Sequence, residues 1–80
     1  MKKYKCHKVV NAAVIIGIET NVPGSGAVLH LDDFEAAAAV SEEWMKKHSP
    51  ELGGFFVRYE DGYESYSPAK AFLDGYTLLA

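Results

Sequence analysis

The sequence predicts a small α+β domain: a mainly antiparallel sheet of about four to six strands with two short helices, over 41–48 and 68–74. Three observations carry this. Phe55, Val57 and Tyr59 alternate with Phe56, Arg58 and Glu60, the period of two of a strand, and Asp61-Gly62 follows as a tight turn. Residues 9–19 are rich in Val and Ile, which favours strand over helix. Ser41 and Ser67-Pro68 are both helix-start signals.

In chain order, residues 3–8 can begin a strand. The stretch Val9–Glu19 reads as a buried strand, with Asn11-Ala12 as a bend and Gly17 as a bulge. Its apolarity on both faces predicts a central position or a strand wrapped by other elements. Residues 20–26, TNVPGSG, form a loop. Ala27–Leu31 is a second strand, and Asp32-Asp33 a turn. Two readings compete for residues 33–48. The alanines at 36–39 favour one long helix from Asp33 to His48. Alternatively, a strand covers about 35–40 and a helix starts after Ser41. The second reading accounts for more residues. Ser41 is an N-cap, Glu42 and Glu43 suit the positive end of the helix dipole, and Lys46, Lys47 and His48 suit the negative end. Val40 and Met45 fit a hydrophobic staple, and Pro50 stops the helix. Trp44 is then a core anchor against the sheet.

Leu52-Gly53-Gly54 leads into the hairpin. Read as a two-residue type I′ turn, Asp61-Gly62 pairs Tyr59 with Glu64 and Val57 with Tyr66. Phe55, Val57, Tyr59, Glu64 and Tyr66 then share the core face, and Phe56, Arg58, Glu60, Tyr63 and Ser65 the outer one. Ser67 is the expected N-cap of the second helix, with Pro68 at its first position and Gly75 beyond its end. Ala69, Phe72, Leu73 and Tyr76 make its apolar stripe. Residues 76–79 can add a closing strand.

The eighty residues suit one domain with a thin core. With a single cysteine, Cys6, the chain can form no internal disulfide, and a reducing, cytoplasmic setting fits. No apolar run approaches the ~20 residues of a membrane span, and no leader-peptide pattern is evident at the start. The net charge of −3 disfavours a nucleic-acid partner, although Lys2, Lys3, Lys5 and Lys8 make a local basic patch.

Several segments, YKCHKVV at 4–10, KHSP at 47–50, Gly53-Gly54 before Phe55, YEDGY at 59–63, and Ser67-Pro68 with Phe72 and Gly75-Tyr76, resemble a group of small proteins of unknown function encoded by tailed bacteriophages and prophages. The resemblance implies a phage or prophage origin and a compact α+β domain. It assigns no catalytic residue.

No catalytic constellation is predicted. Cys6, His7, His30 and His48 are metal ligands by type, but their spacing matches no recurring site, and adjacent Cys-His on a strand points to opposite faces. A Cys-His nucleophile pair has no oxyanion donor beside it. The acidic doublets Asp32-Asp33, Glu42-Glu43 and Glu60-Asp61 are explained by turns and a helix start. The GSG at 24–26 lacks the lysine and following helix of a phosphate loop. Neither cofactor nor metal is expected, and a non-enzymatic protein is. The hairpin is the best candidate surface: Phe56, Arg58 and Tyr63 on one outer face would combine the aromatic and arginine side chains enriched at binding hot spots. Its negative charge favours a protein partner over nucleic acid. The many sheet edges are compatible with a homodimer. The expected role is a phage accessory protein acting by protein binding; a regulator using the N-terminal lysines and a small virion or assembly component are the alternatives.

Overall fold

The long strand β2 (Val9–Glu19) organises the molecule, as its two-sided apolarity predicts. The structure, a computed structural model, describes residues 1–5, 9–20, 26–32 and 37–78. Among these, β5 (Phe55–Tyr59) pairs antiparallel with residues 10–14 of β2, and β1 (Lys2–Lys5) pairs with residues 9–12. Both ladders use the same residues, so they lie on opposite edges of β2. Further along, β3 (Ala27–Leu31) pairs with residues 15–19 of β2, across a bulge between Ile15 and Gly17. The strand β4 (Ala37–Val40) continues from β3, and β6 (Glu64–Ser67) continues from β5. The short β7 (Thr77–Leu78) closes back on β1.

The path β4-β3-β2-β5-β6 is curled, with helix α1 (Glu42–His48) between its third and fourth strands in chain order. This is the connectivity of the partly open, five-stranded OB barrel. Among the described residues β4 and β6 do not pair with each other. Helix α1 bridges that opening: the Trp44 indole Nε1–H donates to the Glu64 carbonyl on β6 at 3.1 Å. All five strands feed the barrel interior, where Ala13, Ile15, Ala27, Leu29, Leu31, Val40 and Phe56 are buried and Trp44, Met45 and Tyr66 pack against them. A second core lies outside the barrel wall. There helix α2 (Ala69–Gly75) covers Val10, Ala12, Phe55 and Val57 with Phe72. Strands β2 and β5 are thus buried on both faces, which explains why three consecutive residues of β5, Phe55, Phe56 and Val57, are all buried.

Helix α1 follows the second of the two readings for 33–48. Ser41 is its N-cap, its Oγ accepting the Trp44 N–H at 3.0 Å, and Ser49 ends it in the left-handed region at φ 43°. The strand before it begins at Ala37; residues 33–36 lie outside the described set.

Helix α2 corrects the sequence reading at three points. It starts at Ala69, because Ser67 stays in β6 opposite Phe55, and Pro68 takes the N-cap position without a side-chain cap. Gly75 is the last helical residue rather than the residue beyond it, and the Tyr76 N–H bonds the Phe72 carbonyl at 2.9 Å. Leu73 is 59% exposed rather than part of the buried stripe. Phe72 stacks on Phe55 with centroids 4.3 Å apart, and the next residue is rotated about 100° away from that contact.

Candidate interaction surface

The β5–β6 turn determines what the hairpin can present, and it differs from the type I′ turn expected. The Tyr59 N–H bonds the Tyr63 carbonyl at 2.8 Å, and the Gly62 N–H bonds the Tyr59 carbonyl at 2.9 Å. Three residues, Glu60, Asp61 and Gly62, therefore make the loop. Of these only Gly62, at φ +91°, is left-handed, whereas a type I′ turn needs both central residues so. The Asp61 carboxylate accepts the Tyr63 N–H at 2.9 Å, a local bond that holds Asp61 on the ordinary side of φ. The result is a three-residue turn with a glycine bulge.

One added loop residue shifts the register by one and exchanges the faces of β6. Phe56 now stands opposite Tyr66, Val57 opposite Ser65 and Arg58 opposite Glu64. The common outer face of Phe56, Arg58 and Tyr63 is consequently not formed. Phe56 is 0% exposed and belongs to the barrel interior, 5.9 Å from the Trp44 ring. Arg58 lies half-buried over Phe56, and its Nε donates to the Glu64 carboxylate at 3.0 Å. Tyr63 turns to the other face, 48% exposed, with its ring against Tyr59 at 5.7 Å. The Lys47 ammonium from α1 lies 5.5 Å from the Tyr63 ring centre and donates to its hydroxyl at 3.2 Å. What survives at the hairpin is Tyr63 held between Tyr59 and Lys47.

The other sequence candidates fall as follows. Cys6, His7, Gly24 and Ser25 lie outside the described residues. His30 is half-exposed, 3.8 Å from the Glu19 carboxylate. The His48 ring packs tilted against Trp44, with centroids 4.5 Å apart; desolvation and then the neighbouring Lys47 charge lower its pKa. Among the described residues no three His, Cys, Asp or Glu side chains are grouped to hold a metal. Nor is any helix among them long and apolar enough to cross a membrane.

One surface was not foreseen. The bulge in β2 was expected at Gly17, but its effect on Ile16 was not: Ile16 is 60% exposed, and Leu52, 64% exposed, is on the segment whose backbone bonds Ile15. The Leu52–Gly53 peptide N–H donates to the Ile15 carbonyl at 2.9 Å, so the two aliphatic residues flank one hydrogen bond. A Val/Ile-rich run carries no mark of which member a bulge will expel; only the glycine beside it hints at one.

The barrel interior is occupied by its own side chains, and Ile16, Leu52 and Tyr63 are exposed at its surface. Comparison with known proteins adds a specific likeness. No protein-family description matches the sequence, and no curated protein matches it. Among solved structures the chain is similar to the phage L decoration protein, whose monomeric form was determined in solution by NMR. The two share 30% identity over 94% of this chain, with a TM-score of 0.73. The chain spans 57% of that protein's length. This likeness agrees with the phage connection inferred from the sequence, and carries no information on the motif pattern that suggested it.

Proposed function

We propose that the chain is a non-enzymatic accessory component of a phage or prophage particle, made in the host cytoplasm, that acts by docking on the assembled protein shell. One observation carries the reading: the likeness to the phage L decoration protein over 94% of the chain, at 30% identity. The geometry is compatible, because the barrel interior is filled and the exposed apolar side chains sit on hydrogen-bonded backbone. A fold alone hosts many functions, so the proposal rests on the identity as well as on the shape.

The test uses particles of the phage or prophage that encodes the chain, produced with the gene deleted. Purified protein added to these particles is expected to co-sediment saturably at micromolar concentration or below, and to be present in particles made with the gene intact. Absence from intact particles, together with failure to co-sediment, refutes the proposal. Salt-sensitive retention on DNA in its place would favour a regulator acting through the exposed Lys2, Lys3 and Lys5 of β1.

A further inference from the structure

We propose that Ile16 and Leu52 form the docking contact, and that the surface they meet is a protein socket of apolar side chains rimmed by Lys or Arg. The inference rests on the shell-docking role above and names the face and the partner chemistry that role requires.

The two residues are exposed for backbone reasons. Val10, Ala12 and Val14 form the outer row of β2 and pack in the core under α2. Ile16 comes next, but it falls in the bulge between the Ile15–Leu31 and Gly17–His30 pairs and stands in solvent. Bulges re-aim side chains in this way. On the neighbouring segment Gly53, at φ +87°, makes the turn that brings Leu52 alongside. Gly54 is buried under Tyr66, where an added Cβ would overlap the ring. The Ile15 N–H bonds the Gly54 carbonyl at 2.9 Å, so Ile15 joins the Leu52–Gly54 segment through both its backbone groups. Single exposed aliphatic residues are ordinary, but two held together on such backbone lose little conformational freedom when covered.

Charge selects the occupant. Asp32 lies at the bulge, its carboxylate accepting the Val14 N–H at 3.1 Å and its own N–H bonding the Val14 carbonyl at 3.1 Å. Glu51 precedes Leu52, and Glu19 follows on β2 beside His30. The segments that build this end, 14–20, 26–32 and 49–54, contain no Lys or Arg. The described lysines stand elsewhere: Lys2, Lys3 and Lys5 on β1, Lys46 and Lys47 late in α1, and Lys70 on α2. An apolar pair on segments that carry Glu19, Asp32 and Glu51 and no Lys or Arg disfavours nucleic acid and complements a basic-rimmed protein surface.

The experiment is the co-sedimentation titration with gene-deleted particles of the encoding phage, at low and moderate salt. Wild type, Ile16→Ser/Leu52→Ser, Leu52→Ser alone, Glu51→Lys, Tyr63→Ala and the control Lys70→Ala are compared after their folding is checked by circular dichroism. The double variant is expected to bind about 10- to 100-fold more weakly. Leu52→Ser sits on an exposed turn and carries the test if the double variant misfolds. Glu51→Lys is expected to weaken binding several-fold at low salt and less at moderate salt. Lys70→Ala should bind as wild type does. Undiminished binding by the serine variants, with wild type bound, overturns the inference and leaves the shell-docking role intact; loss only in Tyr63→Ala would move the site to the hairpin. Wild type that neither binds nor is found in particles made with the gene intact overturns both. A concentration-dependent oligomer of the free protein that the serine variants abolish would make the occupant a second copy, and also overturns the inference.

Discussion

The two helices of this protein are both seven residues long and are held in opposite ways. Helix α1 carries its own local signals: a serine N-cap that bonds the Trp44 N–H, two glutamates in the first turn, and Lys46, Lys47 and His48 in the last. Yet none of its residues is fully buried. Helix α2 has no side-chain cap, no acid in its first turn and no base in its last, and it buries Phe72 completely. A seven-residue helix is far below the length that is stable alone in water. The first is therefore fixed at its ends and along one half-buried face, the second by a single aromatic stack in which Phe72 lies between Phe55 and Tyr76 at 4.3 and 4.5 Å. The contrast teaches that a legible helix signal does not identify the helix that contributes most to the core.

The largest test of this contrast is Phe72→Ala. It removes the buried anchor of α2 and is expected to cost about 3–5 kcal/mol, with loss of amide-exchange protection at Phe72 and Tyr76. Retained protection across 72–76 would show that α2 has support beyond the stack. Next is Gly26→Ala. A Cβ there would overlap the Ser41 carbonyl carbon and the Glu42 nitrogen, so the start of α1 has to move. A destabilisation of about 1–3 kcal/mol is expected in chemical denaturation, and a neutral result would mean that α1 is only loosely seated. Ser41→Ala deletes the cap alone and should cost about 1 kcal/mol, with fraying confined to the first turn of α1. Global loss of signal in exchange experiments would contradict the division between end-held and core-held helices.

The smallest effect concerns pH. The pKa of His48 is lowered by desolvation and by Lys47, so the unfolded chain takes up a proton more readily than the folded one. Stability should then be constant above the ordinary histidine pKa of about 6.5 and fall as pH drops below it toward the lowered folded value. The His48 share is read as the difference between wild type and His48→Gln. A variant with the same slope would show that the Trp44–His48 contact carries no such linkage.

Much of the fold was legible because its signals are local. Strand β3 and the boundaries of β2 and α1 follow from β-branched runs and from the Ser41 cap. The Gly17 bulge was legible as a location but not as a consequence, since which residue it exposes depends on the β3 partner. The TNVPGSG loop read as a simple connection. The structure gives its last glycine a further reason: Gly26 packs against the peptide that starts α1. The candidate site fared worst. Asp61-Gly62 marks a turn under either reading, but the longer loop, with the Asp61 bond to the Tyr63 N–H, turns Tyr63 to the face opposite Phe56, and Phe56 itself is buried because the sheet curls over it.

By itself, the order of residues determined where β2, β3, β5 and α1 lie, because caps, glycines, prolines and the period of two act over a few neighbours. Tertiary structure alone decided which faces are surface. Curling the sheet buries one side of β5, helix α2 covers the other, the bulge in β2 leaves Ile16 outside, and pairing register depends on hydrogen bonds between segments that no short window contains.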